Sequence, residues 1–345
     1  MTPEQPDPQL SPVADVPLPS GSPASPVIGV EGLEKRFGEV HAVRGVSFEV
    51  WPGETFGFLG PNGAGKSTTI NMLCTLVRPT AGRALVAGYD VVRQRDDVRR
   101  EIGLVFQETT LDLQLSAAQN LRFHGQLYGV PGDELESRMR QVLELVGLWD
   151  RRDKDVVTFS GGMKRRLEIA RGLLHSPRVL FLDEPTVGLD PQTRASIWEY
   201  LDELRHAEEL TIFLTTHYMD EAEHCDRIAI MDVGEIVALD TPRALKSAIG
   251  TDRIRIDTPD VVQAEAAIAR QFGLEAVSTP GGLVLQVADG EAFVPRLLAD
   301  IGVAVRSVSV TRPTLDDVFM VYTGRTIRDA EASGPVPSAV FRGRR

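Results

Sequence analysis

The sequence predicts an α/β fold, a parallel sheet with a helical insertion, followed by a second and smaller α+β domain. Three observations carry that expectation. RVLFLDEP at 178–185 and LTIFLTTH at 210–217 are continuous apolar runs, the composition of strands buried on both faces. Helix-periodic stretches separate the strand-like runs, and strands alternating with helices build parallel sheets. After residue 247 the composition shifts to short segments in the order βαββαβ, which suits a ferredoxin-like domain.

Taken in order, residues 1–26 hold eight of the 22 prolines and no Lys or Arg. They lack the basic start and apolar core of a secretory signal and read as a disordered Pro-rich extension. From Val27 the pattern is strand-rich, with Val46, Phe48 and Val50 alternating with polar residues. ETFGFLG at 54–60 runs into a glycine loop and then KSTTINMLCTLV, where Ile70, Leu73, Leu76 and Val77 share one helical face. Residues 108–158 read as mostly helical, part of a helical subdomain over about 108–172. The main domain spans 27–247. In the accessory domain, 248–325, strands are expected at 253–257, 275–278, 282–288 and 303–310, and helices at 260–272 and 291–301. A turn at 280–282 joins the middle strands, and 326–345 reads as a flexible tail.

Bulk properties narrow the function. Lys and Arg number 37 against 49 Asp and Glu, a formal charge of −12, which argues against broad electrostatic capture of nucleic acid. No stretch approaches the ~20 consecutive apolar residues of a membrane-spanning helix. Cys74 and Cys225 read as small buried apolar residues in a reducing compartment.

GPNGAGKST at 60–68 matches G-x-x-x-x-G-K-[ST] through Gly60, Gly65, Lys66 and Ser67. It stands between a strand and a helix, where backbone N–H groups of a tight turn and a helix start face phosphate. Lys66 is expected on the β- and γ-phosphates and the Ser67 hydroxyl on Mg²⁺. The strand VLFLD ends in Asp183, a second Mg²⁺ ligand directly or through water, and Glu184 follows as a candidate general base. Gln107 ends IGLVFQ as a neutral oxygen ligand, and His217 ends LTIFLTTH within reach of a γ-phosphate. Taken alone, each of the last two reads more readily as an ordinary strand-end polar group than as a ligand.

In this order, Phe37, residues 60–67, Gln107, SGGM at 160–163, LFLDE at 180–184, GLD at 188–190 and His217 resemble the nucleotide-binding subunits of ABC transporters. The resemblance spans about 27–247. It implies ATP as substrate with Mg²⁺, and an ATP site formed by Phe37, Gly60, Pro61, Asn62, Gly63, Ala64, Gly65, Lys66, Ser67, Thr68 and Gln107. Phe37 is implied to stack on adenine, Glu184 to be the hydrolytic base and Asp190 to communicate across a dimer. Ser160, Gly161, Gly162 and Met163 are implied to face the nucleotide of a second subunit in a head-to-tail dimer. Phe159 and Met163 depart from the usual LSGGQ signature. Lys164, Arg165 and Arg166 read as a solvated or ion-paired helix face.

The sequence is more closely similar to drug-export ATPases of the daunorubicin-resistance type, as in FSGGMKRRLEIARGLLHSPRVLFLDEP and in PTLDDVF at 313–319. That implies a peripheral subunit on the cytoplasmic face of the membrane, coupled to a separate permease that docks on the helical insertion. A soluble ABC ATPase is the alternative. No sustained heptad repeat separates Ser67 from Ser160, which argues against the coiled-coil chromosome type, and a single cassette argues against the ribosomal type. A non-hydrolysing cassette is disfavoured by the presence of Glu184 and His217.

Overall fold

The structure, a computed structural model, describes residues 25–324 and 327 except 209, 280 and 281. The Pro-rich extension apart from its last two residues, the tail apart from Ile327, and Pro280 and Gly281 of the expected turn lie outside the described residues.

The chain opens with β1 (Ile28–Phe37) and β2 (Val40–Val50), then β3 (Thr55–Leu59), the glycine loop and α1 (Lys66–Leu73). β4 (Ala81–Val86), β5 (Tyr89–Asp90), α2 (Arg95–Glu101) and β6 (Ile102–Val105) follow. The helical insertion contains α3 (Ala117–Leu127) and α4 (Gly132–Leu145), and leads into α5 (Gly161–Leu173). Local chemistry sets these starts. Ser116 and Gln119 form a reciprocal capping box at α3, and the Ser160 hydroxyl caps α5.

Next come β7 (Val179–Asp183), α6 (Pro191–Glu208), β8 (Thr211–Thr216), α7 (Met219–Ala222), β9 (Arg227–Asp232) and β10 (Glu235–Asp240). The central sheet has the order β10-β9-β3-β8-β7-β6, parallel from β9 to β6. β3, β7 and β8 are buried throughout, as continuous apolar runs require. Their side chains alternate between two cores. Phe56, Phe58, Phe181 and Phe213 face the antiparallel sheet β2-β1-β4-β5, while Leu180, Leu182, Ile212 and Leu214 face the helices. On the first side, Phe48, Phe58 and Phe213 meet edge-on or tilted at centroid distances of 5.1–6.0 Å.

α1 is shorter than its periodicity suggests. It stops at Leu73, Thr75 turns into the left-handed region (φ 63°), and Leu76 is 45% exposed instead of joining the apolar face. Pro79 lies just beyond and cannot continue a helix.

α8 (Pro242–Ile249) starts on a Thr241 cap with proline at its first position. β11 (Asp252–Asp257), α9 (Val261–Phe272), β12 (Ala276–Thr279), β13 (Gly282–Val287), α10 (Gly290–Asp300) and β14 (Ser307–Thr311) form a separate antiparallel sheet, ordered β12-β13-β11-β14. That order is the ferredoxin-like one. β14 begins at Ser307, not at 303, because its partner β11 ends at Asp257, opposite Ser307. α11 (Leu315–Thr323) then leaves this sheet and packs on α8, and its Leu315, Val318 and Phe319 enter the helix-side core of the large sheet.

Candidate functional site

Parallel pairing aligns the carboxyl ends of four strands. Leu59 lies opposite Thr216, and Asp183 opposite Thr215. The residues that follow, Gly60, His217 and Glu184, therefore emerge side by side at strand spacings of about 4.8 Å. Gln107 follows β6 two residues later. Crevices at such strand ends are where open α/β sheets bind ligands.

The glycine loop runs Gly60, Pro61, Asn62, Gly63, Ala64 and Gly65 before α1 begins at Lys66, with Ser67 and Thr68 in its first turn. Gly65 is required twice over. Its φ is +107°, and a Cβ there would stand 2.5 Å from the Ala42 carbonyl oxygen. The buried Lys66 arches back over the loop, its Nζ donating to the Gly60 and Pro61 oxygens at 2.7 and 3.1 Å. The same Nζ lies 3.6 Å from Glu184 Oε1.

Asp183 accepts from Ser67 Oγ at 3.0 Å and from Thr215 Oγ1 at 2.5 Å. Burial pushes its carboxyl above the ordinary range, against the pull of those hydrogen bonds. Glu184 is buried with its backbone at φ 47°, in the left-handed region, and its N–H donates to Thr215 O and Oγ1 at 3.2 and 3.1 Å. Its carboxylate meets His217 Nδ1 at 3.2 Å on one oxygen and Gln107 Nε2 at 3.1 Å on the other. Burial alone would raise this carboxyl, but the His217 hydrogen bond and the Lys66 ammonium outweigh it and hold it below the usual carboxylate value. A hydroxyl, a neutral amide and a carboxylate are hard oxygen donors, the set that Mg²⁺ takes beside nucleotide phosphates.

Lys66, Ser67, Gln107, Asp183, Glu184 and His217 thus share one crevice. Phe37 ends β1 in the antiparallel sheet, half-buried, with Lys35 Nζ 4.7 Å from its ring centroid. Ser160, Gly161, Gly162 and Met163 open α5, where Ser160 Oγ accepts from Met163 N at 3.3 Å. A Cβ on Gly162 would lie 2.4 Å from Thr193 Cγ2, so α5 abuts the first turn of α6. Asp190 caps that turn, accepting from Thr193 N and Oγ1 at 3.0 and 2.6 Å, and is itself exposed.

The structure corrects the basic run that follows the signature glycines. Arg165 is ion-paired, with Glu168, but it is buried and not on a helix surface, and it donates to main-chain oxygens at both ends of the Glu184 segment. Its position carries a usable signal. It falls three residues after Gly162 and four before Ile169, on the helix's buried stripe. Thr215, which holds both Asp183 and the Glu184 N–H, gave no sequence signal inside its apolar run.

Comparison with known proteins agrees with this fold. Residues 43–187 match the ABC transporter family, and residues 241–323 match the C-terminal domain of DrrA1-3-like ATP-binding proteins. The daunorubicin resistance ATP-binding protein DrrA2 of Streptomyces coeruleorubidus is 42% identical over 88% of this chain and 97% of its own length. The linearmycin resistance ATP-binding protein LnrL of Bacillus subtilis is 40% identical over 88% of this chain and all of its own. Among solved structures, CbiO1 of Clostridium perfringens, part of an ABC transporter complex, superimposes with a TM-score of 0.61 at 31% identity, covering 64% of this chain and 91% of that one. A dimeric ATP-binding cassette in a post-hydrolysis state, bound to ADP and phosphate, gives 0.56 at 27% identity over 62% of this chain and 98% of that one. The chain belongs to the ATP-binding subunits of ABC transporters, in the group of the daunorubicin-resistance ATP-binding proteins.

Proposed function

We propose that this ATPase drives efflux of a drug, antibiotic or other amphipathic compound through a separate membrane permease. It does so as one of two cassettes in a head-to-tail dimer at the cytoplasmic face of the membrane, the second being another copy or a homologous subunit. The observation that carries the reading is the Glu184 carboxylate, which shares one crevice with Lys66, His217 and Gln107 at 3.1–3.6 Å. A carboxylate held below its ordinary range is ionised at neutral pH and ready to take a proton from an attacking water. Lys66 and the N–H groups of residues 60–67 bind and orient the phosphates, and His217 meets the γ-phosphate. Phe37 stacks on the adenine. Mg²⁺ would be held by Ser67, Gln107 and, through water, Asp183, and when bound it neutralises developing phosphate charge.

Ser160 to Met163 complete the nucleotide site of the second cassette, and Asp190 relays between the two. Two facts favour a separate permease. Among the described residues no helix is long and apolar enough to cross a membrane, and DrrA2 and LnrL, which match nearly end to end, are named as resistance ATP-binding proteins. Glu184→Gln is expected to keep ATP binding, to lower steady-state hydrolysis by about 100-fold or more and to accumulate an ATP-bound dimer on gel filtration. Hydrolysis at the unmutated rate would overturn the base assignment. The transport part is tested by sequencing the neighbouring genes and co-purifying the chain with any membrane protein they encode. A cassette that neither binds that protein nor responds to it with altered ATPase rate is not its motor.

A further inference from the structure

Arg165 lies in the second turn of α5 and is only 6% exposed. Its guanidinium spends its donors on main-chain oxygens and one carboxylate. Nε donates to Pro185 O at 2.6 Å and Nη2 to Asp183 O at 3.2 Å, the two carbonyls that flank Glu184. Nη1 donates to Phe106 O at 2.5 Å, the carbonyl just before Gln107, and to Glu168 Oε2 at 3.1 Å. Glu168, 1% exposed, uses its other oxygen to accept from Thr110 N at 2.8 Å, three residues beyond Gln107. One buried ion pair therefore holds both backbone segments whose side chains, Glu184 and Gln107, meet at 3.1 Å.

Those segments need outside support. Glu184 sits in the left-handed region, where the Cβ of any residue but glycine crowds the following carbonyl oxygen. Pro185 has no N–H with which to extend the β7 ladder. Burying a guanidinium is itself unfavourable, and burial lowers the affinity of Arg165 for its proton despite Glu168. An apolar side chain would fill this stripe at lower cost, but only the planar fork of arginine addresses three carbonyls and a carboxylate together.

We propose that Arg165, braced by Glu168, is a positioning residue that sets Glu184 and Gln107 for hydrolysis, making α5 a rigid link from Ser160 to the chain's own reacting centre. The link to Ser160 rests on the reading that the α5 start meets the second cassette's nucleotide. α5 then carries engagement of that nucleotide five residues along one helix to the backbone around Glu184.

The test uses the full-length chain. Arg165→Lys keeps the charge but cannot reach all four acceptors. Its kcat for ATP should fall about 10- to 100-fold, the scale of a misplaced catalytic group, while KM stays within about twofold. Adding Arg165→Lys to Glu184→Gln should lower the residual rate far less than the roughly tenfold or more it costs alone, because the base, one of the two groups it positions, is already gone. The ATP-bound dimer of Glu184→Gln should persist in that double variant and vanish with Ser160→Arg. An unchanged kcat in folded Arg165→Lys, or kcat and ATP affinity falling together, would overturn the proposal. If Arg165→Lys does not fold, Glu168→Gln decides. That isostere still accepts from Thr110 N but loses the ion pair, so a lower kcat at constant KM supports the brace, and a normal kcat refutes it. Failure of the base assignment is distinguishable, since Glu184→Gln would then itself hydrolyse normally. Failure of the trans reading alone would show as a dimer that survives Ser160→Arg.

Discussion

Two carboxyls near the reacting crevice answer burial in opposite directions, and partners decide the outcome. Glu184 has His217, Gln107 and Lys66 around it and stays ionised. Glu221, buried on α7, accepts from Thr186 Oγ1 through one oxygen, while Oε2 has no hydrogen-bond partner among the described residues. Burial, with the Glu184 charge adding to it, pushes the Glu221 carboxyl from 4.5 up to about 7, although Thr216, Arg194 and His217 pull it down. The folded chain therefore holds a proton that the unfolded chain releases between those values. Stability should fall as pH rises from about 4.5 through 7, by on the order of 2–3 kcal/mol from this group. Glu221→Gln should remove that slope in urea unfolding series at pH 5 and 7.5. A variant with the parent's slope would show that Glu221 does not titrate there.

Among the elements, the contact between α5 and α6 is the tightest test of the signature segment. Thr193 is held by two bonds to Asp190, so its methyl cannot easily leave the space over Gly162. Gly162→Ala should cost about 1–3 kcal/mol by overpacking and weaken ATP-driven dimerisation. Thr193→Ser removes the methyl and keeps the hydroxyl, so the double variant should recover stability in a denaturant titration. Full stability of Gly162→Ala alone would mean that the helices separate without cost. Much of the element pattern was legible in the chain. Short apolar runs such as VLFLD and TIFLTT suit strands buried on both faces, and the small-residue turn before Lys66 needs a left-handed glycine. Arg165 is ion-paired as expected, but not on the surface, although charge in a helix ordinarily marks a wet face. Its burial depends on carbonyls from β6 and β7 that no local pattern announces.

Over the whole molecule, the ferredoxin-like sheet is an excursion between α8 and α11, both of which belong to the cassette's helix-side core. Leu315, Val318 and Phe319 are fully buried there, so PTLDDVF serves the cassette as a packing segment. Phe319→Ala should destabilise the chain by about 3–5 kcal/mol, read as a lower urea midpoint with hydrolysis lost at the same concentration. A loss below about 1 kcal/mol would show that α11 is dispensable to that core.

The sequence by itself determined the parallel α/β class, the phosphate loop, the two acidic residues at a strand end and the order of strands in the small domain. These rest on local rules: period, turn chemistry, caps and motif spacing act between residues a few positions apart. Tertiary structure alone decided the rest. The β3-β8-β7-β6 order brought Lys66, Ser67, Gln107, Asp183, Glu184 and His217 into one crevice. It also left α11 on the cassette and turned Arg165 inward. Those outcomes depend on which surfaces meet and which buried polar groups find partners, and these contacts join positions far apart in the chain, 116 residues between Ser67 and Asp183.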